Sequence, residues 1–235
     1  DRAYVDALIE EIKAGGRMAR ERGLSCKAFY MGGGTPTTLT AEQMDRLLTH
    51  LNRKFDMSRT VEYTVEAGRP DTITMEKLEV LKKHGVSRIS VNPQTMSDSV
   101  LEAIGRKHTA RDILDAFEMV RNVGDMAINM DLIAGLPTDT PESFRFTMDA
   151  VMALAPENIT VHTLSLKKGA RLMDEGGDIP TPASVKEMVD YAHDRLQAWG
   201  YEPYYLYRQK NMSGGFENTG WCKPGYENLY NIFIM

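Results

Sequence analysis

The residues of this chain best suited to chemistry begin with a run of three glycines. Gly32, Gly33 and Gly34 follow a short apolar stretch and precede Thr35 in the segment YMGGGTPT. Without Cβ atoms, such a turn lets main-chain N–H and C=O groups approach a ligand closely and adopt positive φ. The run is not a phosphate loop, which needs a lysine at a fixed place, nor a spaced GxGxxG dinucleotide fingerprint. A tight strand-to-helix turn explains the glycines equally well.

Three polar residues come at or just beyond the ends of other apolar segments. They are Glu66, Gln94 and Asp131. Two carboxylates and an amide on one rim are suited to hold a small cationic molecule that carries several hydroxyl groups. A lone carboxylate at a strand end is more often a helix cap or a salt-bridge partner. The three residues therefore indicate a binding site only as a set.

Arg106 is a candidate for binding a carboxylate. It lies in LEAIGRKHT at the end of a predicted short helix, where its guanidinium is suited to bind a carboxylate with two hydrogen bonds. The helix dipole favours a basic residue there without any ligand, so the sequence leaves both interpretations open. The histidines, among them His162, lack the spacing of metal ligands and are assigned no role.

The hydrophobic pattern predicts the elements that must position these residues. Helical periodicity alternates with short apolar runs, which predicts βαβ units and a parallel sheet, either open or curled into a barrel. Ligands then bind beyond the carboxyl ends of the strands, where the candidate residues lie. Two helix starts are marked by Thr40 with Gln43, a capping box, and by Thr140 before Pro141. The predicted strands cover residues 28–31, 61–65, 88–91, 128–133, 159–166 and about 204–207.

Composition is that of an ordinary globular protein. The 235 residues are 42% hydrophobic and 26% charged, with a net charge of −5, which favours one α/β domain without general attraction to nucleic acid. No apolar run approaches the roughly 20 residues that span a bilayer, and no secretory signal is evident, so a cytoplasmic protein is expected.

Cys26 and Cys222 supply too few thiolates for an iron–sulfur cluster. No residue is assigned as a metal ligand, and no catalytic residue is identified.

The chain resembles a known enzyme group in four motifs that occur in order. These are YMGGGTPT, VEAGRP, SRISVNPQTMSDSVLEAIGRKHT and INMDLIAGLPTDT, and they are similar to those of radical S-adenosylmethionine (SAM) enzymes of the oxygen-independent coproporphyrinogen III oxidase group. The tail YLYRQKNMSGGFENTGWCKPG looks like the bacterial coproporphyrinogen dehydrogenase branch. The resemblance implies an α/β fold, a partial (β/α)6 radical SAM barrel over residues 1–200. Its first strand and cluster loop are expected upstream, and residues 201–235 are expected to begin a C-terminal substrate-covering region.

The resemblance also implies a set of SAM-binding residues. Backbone groups of Gly33, Gly34 and Thr35 would contact the methionine part of SAM, which explains why side chains are absent there. By the same resemblance, Glu66 and Arg106 would pair with the ammonium and carboxylate of SAM, Gln94 and Asp131 would hold its ribose hydroxyls, and Ile133 and Ser165 would lie near its adenine.

The implied cofactors are SAM and a 4Fe-4S cluster. In the family, a CxxxCxxC motif holds three irons and leaves the fourth for SAM, and the cluster cleaves SAM reductively to a 5'-deoxyadenosyl radical. That radical takes hydrogen from a propionate, and loss of carbon dioxide and an electron gives a vinyl group. This chain lacks the motif, so we expect the cysteines upstream of Asp1 and expect this chain alone to be inactive.

The implied reaction is the oxygen-independent oxidative decarboxylation of coproporphyrinogen III to protoporphyrinogen IX in haem biosynthesis. Its expected partners are a tetrapyrrole substrate and a reduced electron donor such as flavodoxin or ferredoxin, with no nucleic acid and no membrane span. The tail residues that suit a tetrapyrrole also suit an ordinary edge strand and loop; they are the aromatic Tyr204, Tyr205, Tyr207 and Trp221 and the basic Arg208, Lys210 and Lys223.

Two other functions remain open. Relatives with the same motifs act as haem-trafficking proteins or modify other substrates, and such a protein would keep the SAM site without this reaction. An unrelated barrel enzyme such as an aldolase would need a Schiff-base lysine at a strand end, for which Lys167 is the obvious candidate.

Overall fold

The protein is built of α-helices and β-strands. The computed structural model describes residues 2–165, 178–208 and 212–234. None of the helices in these ranges is long and apolar enough to cross a membrane. The described helices are α1 (Arg2–Glu21), α2 (Ala41–Lys54), α3 (Met75–Lys83), α4 (Asp98–Ala103), α5 (Ala110–Val123), α6 (Pro141–Leu154), α7 (Pro182–Ala198) and α8 (Leu229–Ile234).

The chain divides into two compact units, of which the first comprises Asp1–Ser90 and Ala116–Met126. In it, β1 (Ala28–Met31) pairs in parallel with β2 (Glu62–Glu66), which pairs in parallel with β3 (Arg88–Ser90). The first four residues of β2 are buried. Because the strands are parallel, their carboxyl ends meet at one edge, where the glycine run follows β1 and Glu66 ends β2.

The start of α2 shows how local sequence positions the first unit. The predicted capping box is present, because the Thr40 hydroxyl accepts from the Gln43 amide at 3.2 Å and the Gln43 side chain accepts from the Thr40 amide at 3.0 Å. Together these bonds satisfy two amides that a helix start leaves without partners. The apolar face of α2 packs inward, with Met44, Leu47, Leu48 and Leu51 buried.

The second unit comprises Val91–Asp115 and Ala127–Met235 within the described ranges. β4 (Ala127–Ala134) pairs in parallel with β5 (Asn158–Thr163). β7 (Asn218–Cys222) runs antiparallel to β5, and β6 (Glu202–Tyr207) runs antiparallel to β7. Burial alternates along β4, so one face of this strand is apolar and packed, while the half-buried face carries Asn129 and Asp131 beside Ala127 and Ile133.

The structure corrects the sequence prediction of an all-parallel sheet. The pairs β1–β2, β2–β3 and β4–β5 are parallel, as expected, whereas β6 and β7 form an antiparallel ribbon beside β5. β7 was missed because its sequence NTGWC combines asparagine and glycine, which are uncommon in strands. β5 ends at Thr163, earlier than predicted, and Ser165 makes an isolated antiparallel bridge to Met212.

Candidate functional site

The three glycines after β1 differ in what a side chain would meet. A Cβ on Gly32 would lie 2.3 Å from the Tyr30 ring and 2.8 Å from a carboxylate oxygen of Glu66. Gly33 has φ of +104°, a conformation that L side chains rarely adopt. Around Gly33 and Gly34, nothing described lies within 4 Å of an added Cβ. The loop therefore exposes two main-chain units to open space, whereas Gly32 is needed for packing and was not among the predicted binding residues.

Glu66 is fixed beside the glycine loop. Its carboxylate accepts a hydrogen bond from the Tyr30 hydroxyl at 3.2 Å. Beyond the loop, the Thr37 hydroxyl donates to the Ala67 carbonyl at 2.9 Å. Lys77 also connects the segment after β1 with the segment after β2. Its ammonium donates to the carbonyls of Thr37 and Thr72 at 2.6 and 2.9 Å. A carboxylate and a bare stretch of main chain are thus held together at the carboxyl ends of β1 and β2.

A cavity of about 620 Å³ adjoins the other side of this loop. Gly32, Gly34 and Thr35 line one part of it, and apolar side chains of α1, β1 and α2, such as Leu8 and Phe29, line the rest. Its volume is in the range of small-molecule sites. Glu66 is not among its lining residues, whereas Gly34 and Thr35 of the predicted SAM-binding loop are.

Gln94 and Ile133 are held against Asp131 by main-chain bonds. The Gln94 amide donates to the Asp131 carbonyl, and the Ile133 amide donates to the Gln94 carbonyl, each at 3.0 Å. Gln94 has φ of +68°, which costs a residue with a side chain roughly 1–2 kcal/mol. Such strain often marks functional positions. Asp131 and Ile133 share the half-buried face of β4, so three predicted ligands are gathered here.

Asp131 lies in a polar network that keeps it ionised. One carboxylate oxygen accepts from the Asn129 amide at 2.8 Å, and the other lies 3.8 Å from His162 Nε2. The latter separation is too long for a direct hydrogen bond, so His162 acts mainly through charge and dipole. Burial favours the neutral acid, yet His162, Asn129 and Thr160 favour the carboxylate more and lower the pKa of Asp131. Asp131 is therefore a ready hydrogen-bond acceptor at neutral pH.

His162 is the residue of this network that sequence reasoning missed. It lies on β5 in register with Ile133, and its ring is a quarter exposed. A histidine alone in an apolar run has no motif around it. Only the pairing of β4 with β5 shows that it faces Asp131.

Arg106 and Ser165 are less tightly defined. Arg106 follows the end of α4, beyond Gly105 with φ of +72°, as predicted. Its side chain is exposed, and the described residues supply it with no hydrogen bond or ion pair. Ser165 is half-buried just beyond β5. The structure thus leaves Arg106 available to an anion without placing it against the other predicted ligands.

Several tail residues do not face a ligand. Trp221 is 2% exposed and packs edge-on against His193, at 4.9 Å between ring centroids. Lys223 donates to the Ala155 carbonyl at 2.5 Å, and Arg208 pairs with Glu217. Of the two interpretations left open for Trp221, its burial favours an ordinary strand residue, because its ring belongs to the packed face of the sheet. Lys167 and Lys210 lie outside the described residues.

Comparisons with known proteins identify relatives over most of the chain. The family described as "Radical SAM superfamily" matches residues 2–151. The chain is 43% identical over 99% of its length to the oxygen-independent coproporphyrinogen-III oxidase-like protein HemZ of Bacillus subtilis. It is 31% identical over 97% of its length to the haem chaperone HemW of the same organism. The solved structure of coproporphyrinogen III oxidase HemN from Escherichia coli matches 96% of the chain at 26% identity, with a TM-score of 0.80.

The chain spans about half the length of these relatives. It covers 47% of HemZ, 58% of HemW and 49% of the HemN chain. The similarity to HemN, a radical SAM enzyme, confirms the predicted α/β fold of the radical SAM barrel type. The expected boundary after residue 200 stays a prediction.

Radical SAM proteins use SAM and a 4Fe-4S cluster. The described residues of this chain suit SAM better than they suit the cluster. The exposed glycine backbone and the ionised Asp131 fit a ligand with an amino-acid end and ribose hydroxyls. Cys26 is half-buried with its pKa raised by burial, Cys222 is buried, and they lie in different units. No described group of three or more potential ligands fits a cluster. On its sequence and fold, the chain belongs to the radical SAM superfamily.

Proposed function

We propose that the protein carries out the SAM-dependent, oxygen-independent oxidative decarboxylation of coproporphyrinogen III to protoporphyrinogen IX. The observation that supports this most strongly is the 43% identity to a coproporphyrinogen-III oxidase-like protein over 99% of this chain. Identity at this level over a whole shared segment is compatible with a shared cofactor and substrate class. Fold alone would not carry the proposal, because one fold hosts many reactions.

In this proposal, the first unit recognises the amino-acid end of SAM. Main-chain groups of Gly33, Gly34 and Thr35 meet the methionine part, and the Glu66 carboxylate pairs with the ammonium. The open space above Gly33 and Gly34 supports this role, because main-chain atoms there are free to approach a ligand. Glu66 is already oriented by Tyr30, so little side-chain freedom is lost on binding.

The second unit supplies the remaining contacts in the proposal. Asp131 and Gln94 accept and donate hydrogen bonds to the ribose hydroxyls, while Ile133 and Ser165 contact the adenine. Arg106, exposed and without a side-chain partner in the described ranges, pairs with the SAM carboxylate. SAM supplies the radical chemistry when it is bound. The chain's own contribution is to orient it.

Haem trafficking is the second candidate function. It is favoured by the 31% identity to a haem chaperone over 97% of this chain. A carrier would bind haem stably and release no vinyl product, and it would still use the same SAM-binding residues. The two functions therefore differ in what happens to the tetrapyrrole rather than in the SAM site.

Anaerobic turnover tests the proposal. The full-length protein, reconstituted with iron and sulfide, is incubated with SAM, a low-potential reductant and coproporphyrinogen III. We expect protoporphyrinogen IX and 5'-deoxyadenosine to form together, measured by chromatography and mass spectrometry. The Asp131→Ala variant should form neither. Asp149→Ala, which removes a surface acid bonded to Tyr191 and Arg195, is the matched control and should retain both products.

The outcomes separate the two candidates. Stable haem binding without decarboxylation, in protein that still binds SAM, would support a carrier and contradict the oxidase. Cleavage of SAM with another tetrapyrrole but not with coproporphyrinogen III would also contradict it.

A further inference from the structure

Polar and aromatic side chains make successive contacts that start from Asp131 on the half-buried face of β4. His162 lies 3.8 Å from one carboxylate oxygen, and the Tyr207 hydroxyl lies 3.5 Å from the other ring nitrogen of His162, Nδ1. The Tyr207 ring stacks on Tyr205 with a 7° angle and 6.2 Å between centroids. Tyr205 in turn interacts with Thr160 beside Asn129. A line of polar side chains therefore crosses the sheet, from Asp131 on β4 through His162 on β5 to Tyr207 on β6.

The order of these groups selects the hydrogen position on His162. A neutral imidazole has one donor and one acceptor nitrogen, and the hydrogen bond made by one nitrogen determines the other. The Asp131 carboxylate can only accept, so its position beside Nε2 favours the tautomer with the hydrogen on Nε2. Nδ1 is then the acceptor nitrogen, and the Tyr207 hydroxyl faces it as a donor. A protonated imidazole presents the same hydrogen to the carboxylate.

The sheet leaves room for this arrangement at a single glycine. Gly220 pairs with Thr160 on β5 and with Tyr205 on β6. A Cβ there would lie 1.8 Å from the Tyr205 ring. The Tyr205 ring therefore occupies the space that a side chain at Gly220 would need, and Tyr207 stacks on that ring. The register between three strands, rather than any local motif, creates the line of groups.

We propose that His162, which faces Tyr207 through Nδ1 and Asp131 through Nε2, is a positioning residue that holds the Asp131 carboxylate in one orientation for the ligand's hydroxyl groups. This inference rests on the proposed SAM site and extends it to two residues with no assigned role. Asn129 holds one oxygen and His162 constrains the other, so the carboxylate does not have to be reoriented when a diol binds. Of the titratable and charged groups that face His162, the structure describes Asp131 on β4 and Tyr207 on β6.

Binding of SAM to variants of the reconstituted full-length protein tests the proposal. His162→Phe keeps a ring of similar size and removes both nitrogens. We expect about fivefold to tenfold weaker binding, no more than an ordinary hydrogen bond is worth, because at 3.8 Å His162 acts on Asp131 through charge and dipole. His162→Gln keeps an N–H donor and should bind about threefold better than His162→Phe. Tyr207→Phe keeps the stack on Tyr205 and should weaken binding by about twofold to threefold. Tyr191→Phe loses a surface hydroxyl bonded to Asp149 and should bind like the wild type.

A second readout does not need SAM. Carbon-detected NMR of aspartate carboxyl groups, with Asp131→Asn used for assignment, reports the titration of Asp131. We expect its pKa to rise in His162→Phe and to rise less in His162→Gln, because the donor facing the carboxylate is lost or partly replaced. Tyr191→Phe should leave the titration unchanged.

The two readouts distinguish failure of this inference from failure of the proposed function. If the wild type does not bind SAM, the proposed function is contradicted, and the Asp131 titration alone decides the inference. The inference is overturned if His162→Phe leaves both SAM affinity and the Asp131 titration unchanged. It is also overturned if His162→Phe and His162→Gln lose the same affinity, since ring packing would then be what matters.

Discussion

The two units of this protein present binding groups in opposite ways. In the first unit the candidate surface is largely main chain beside the Glu66 carboxylate, and the main chain is exposed because Gly33 and Gly34 have no side chains and nothing described lies within 4 Å of an added Cβ there. In the second unit it is a set of side chains around Asp131, which is held by Asn129 on its own strand and by His162 on the adjacent one. A main-chain surface is prepared by backbone conformation alone, whereas Asp131 depends on its neighbours for its charge state and orientation.

The difference predicts how each surface tolerates change. A backbone surface is damaged by adding atoms, because a Cβ occupies the space that a ligand needs. A side-chain surface is damaged by removing atoms, because a carboxylate that accepts two hydrogen bonds has no substitute among its neighbours. The following predictions separate these two modes.

The largest effect is expected at Asp131. Asp131→Ala should weaken SAM binding by about 100-fold, because two hydrogen bonds from ribose to a charged acceptor are lost. Calorimetric titration of the reconstituted protein measures this. A loss smaller than about threefold, with Asp149→Ala unchanged, would show that the carboxylate is not a ligand.

The glycine loop provides the second test, with two variants that separate ligand approach from backbone strain. Gly34→Ala should weaken SAM binding by about tenfold without a change in stability, since the apo protein has open space there. Gly33→Ala should weaken binding as much and also cost about 1–2 kcal/mol of unfolding free energy, because φ is +104°.

Titration calorimetry and urea unfolding measure the two quantities for both glycine variants. Loss of stability in Gly34→Ala would mean that this residue is required by the fold rather than by a ligand. Equal stability of Gly33→Ala and the wild type would contradict the strain argument.

Gln94 combines both modes, because its strained backbone carries a candidate ligand side chain. Gln94→Gly should raise the unfolding free energy by about 1 kcal/mol relative to Gln94→Ala, since glycine adopts positive φ without strain. Both variants should bind SAM about fivefold more weakly than the wild type. If the two variants are equally stable, the positive φ is not a source of strain.

The smallest effect concerns pH. Because the pKa of Asp131 is lower in the folded protein than its ordinary value of 3.8, its charge stabilises the fold above pH 3.8, and this stabilisation disappears as pH falls through the folded pKa. The difference in unfolding free energy between wild type and Asp131→Asn should therefore shrink below about pH 4. The glycine loop does not titrate, so the Gly33→Ala difference should stay constant over the same range.

Local sequence signals predicted the local structure of the first unit better than that of the second unit. The capping box at Thr40 and the glycine run after β1 are encoded within a few residues, and both are found where they were expected. The requirement for Gly32 was not foreseen, because it arises from Tyr30 and Glu66, which are neighbours in space.

The second unit depends on long-range register, which one sequence does not reveal. β7 was missed, and with it Gly220, whose lack of a side chain admits the Tyr205 ring. His162 was assigned no role because it becomes meaningful only when β5 pairs with β4. The assignment of Asp131 stays a prediction, although its surroundings explain how such a carboxylate is kept ionised.

The most direct test compares two ligands, SAM and 5'-methylthioadenosine, which has the nucleoside but lacks the amino acid. Dissociation constants are measured by anaerobic calorimetry for the wild type, Gly34→Ala and Asp131→Ala. We predict that Gly34→Ala weakens SAM and leaves 5'-methylthioadenosine unchanged, whereas Asp131→Ala weakens both by the same factor. If Gly34→Ala weakens both ligands equally, or if Asp131→Ala spares 5'-methylthioadenosine, the division between main-chain and side-chain recognition is contradicted.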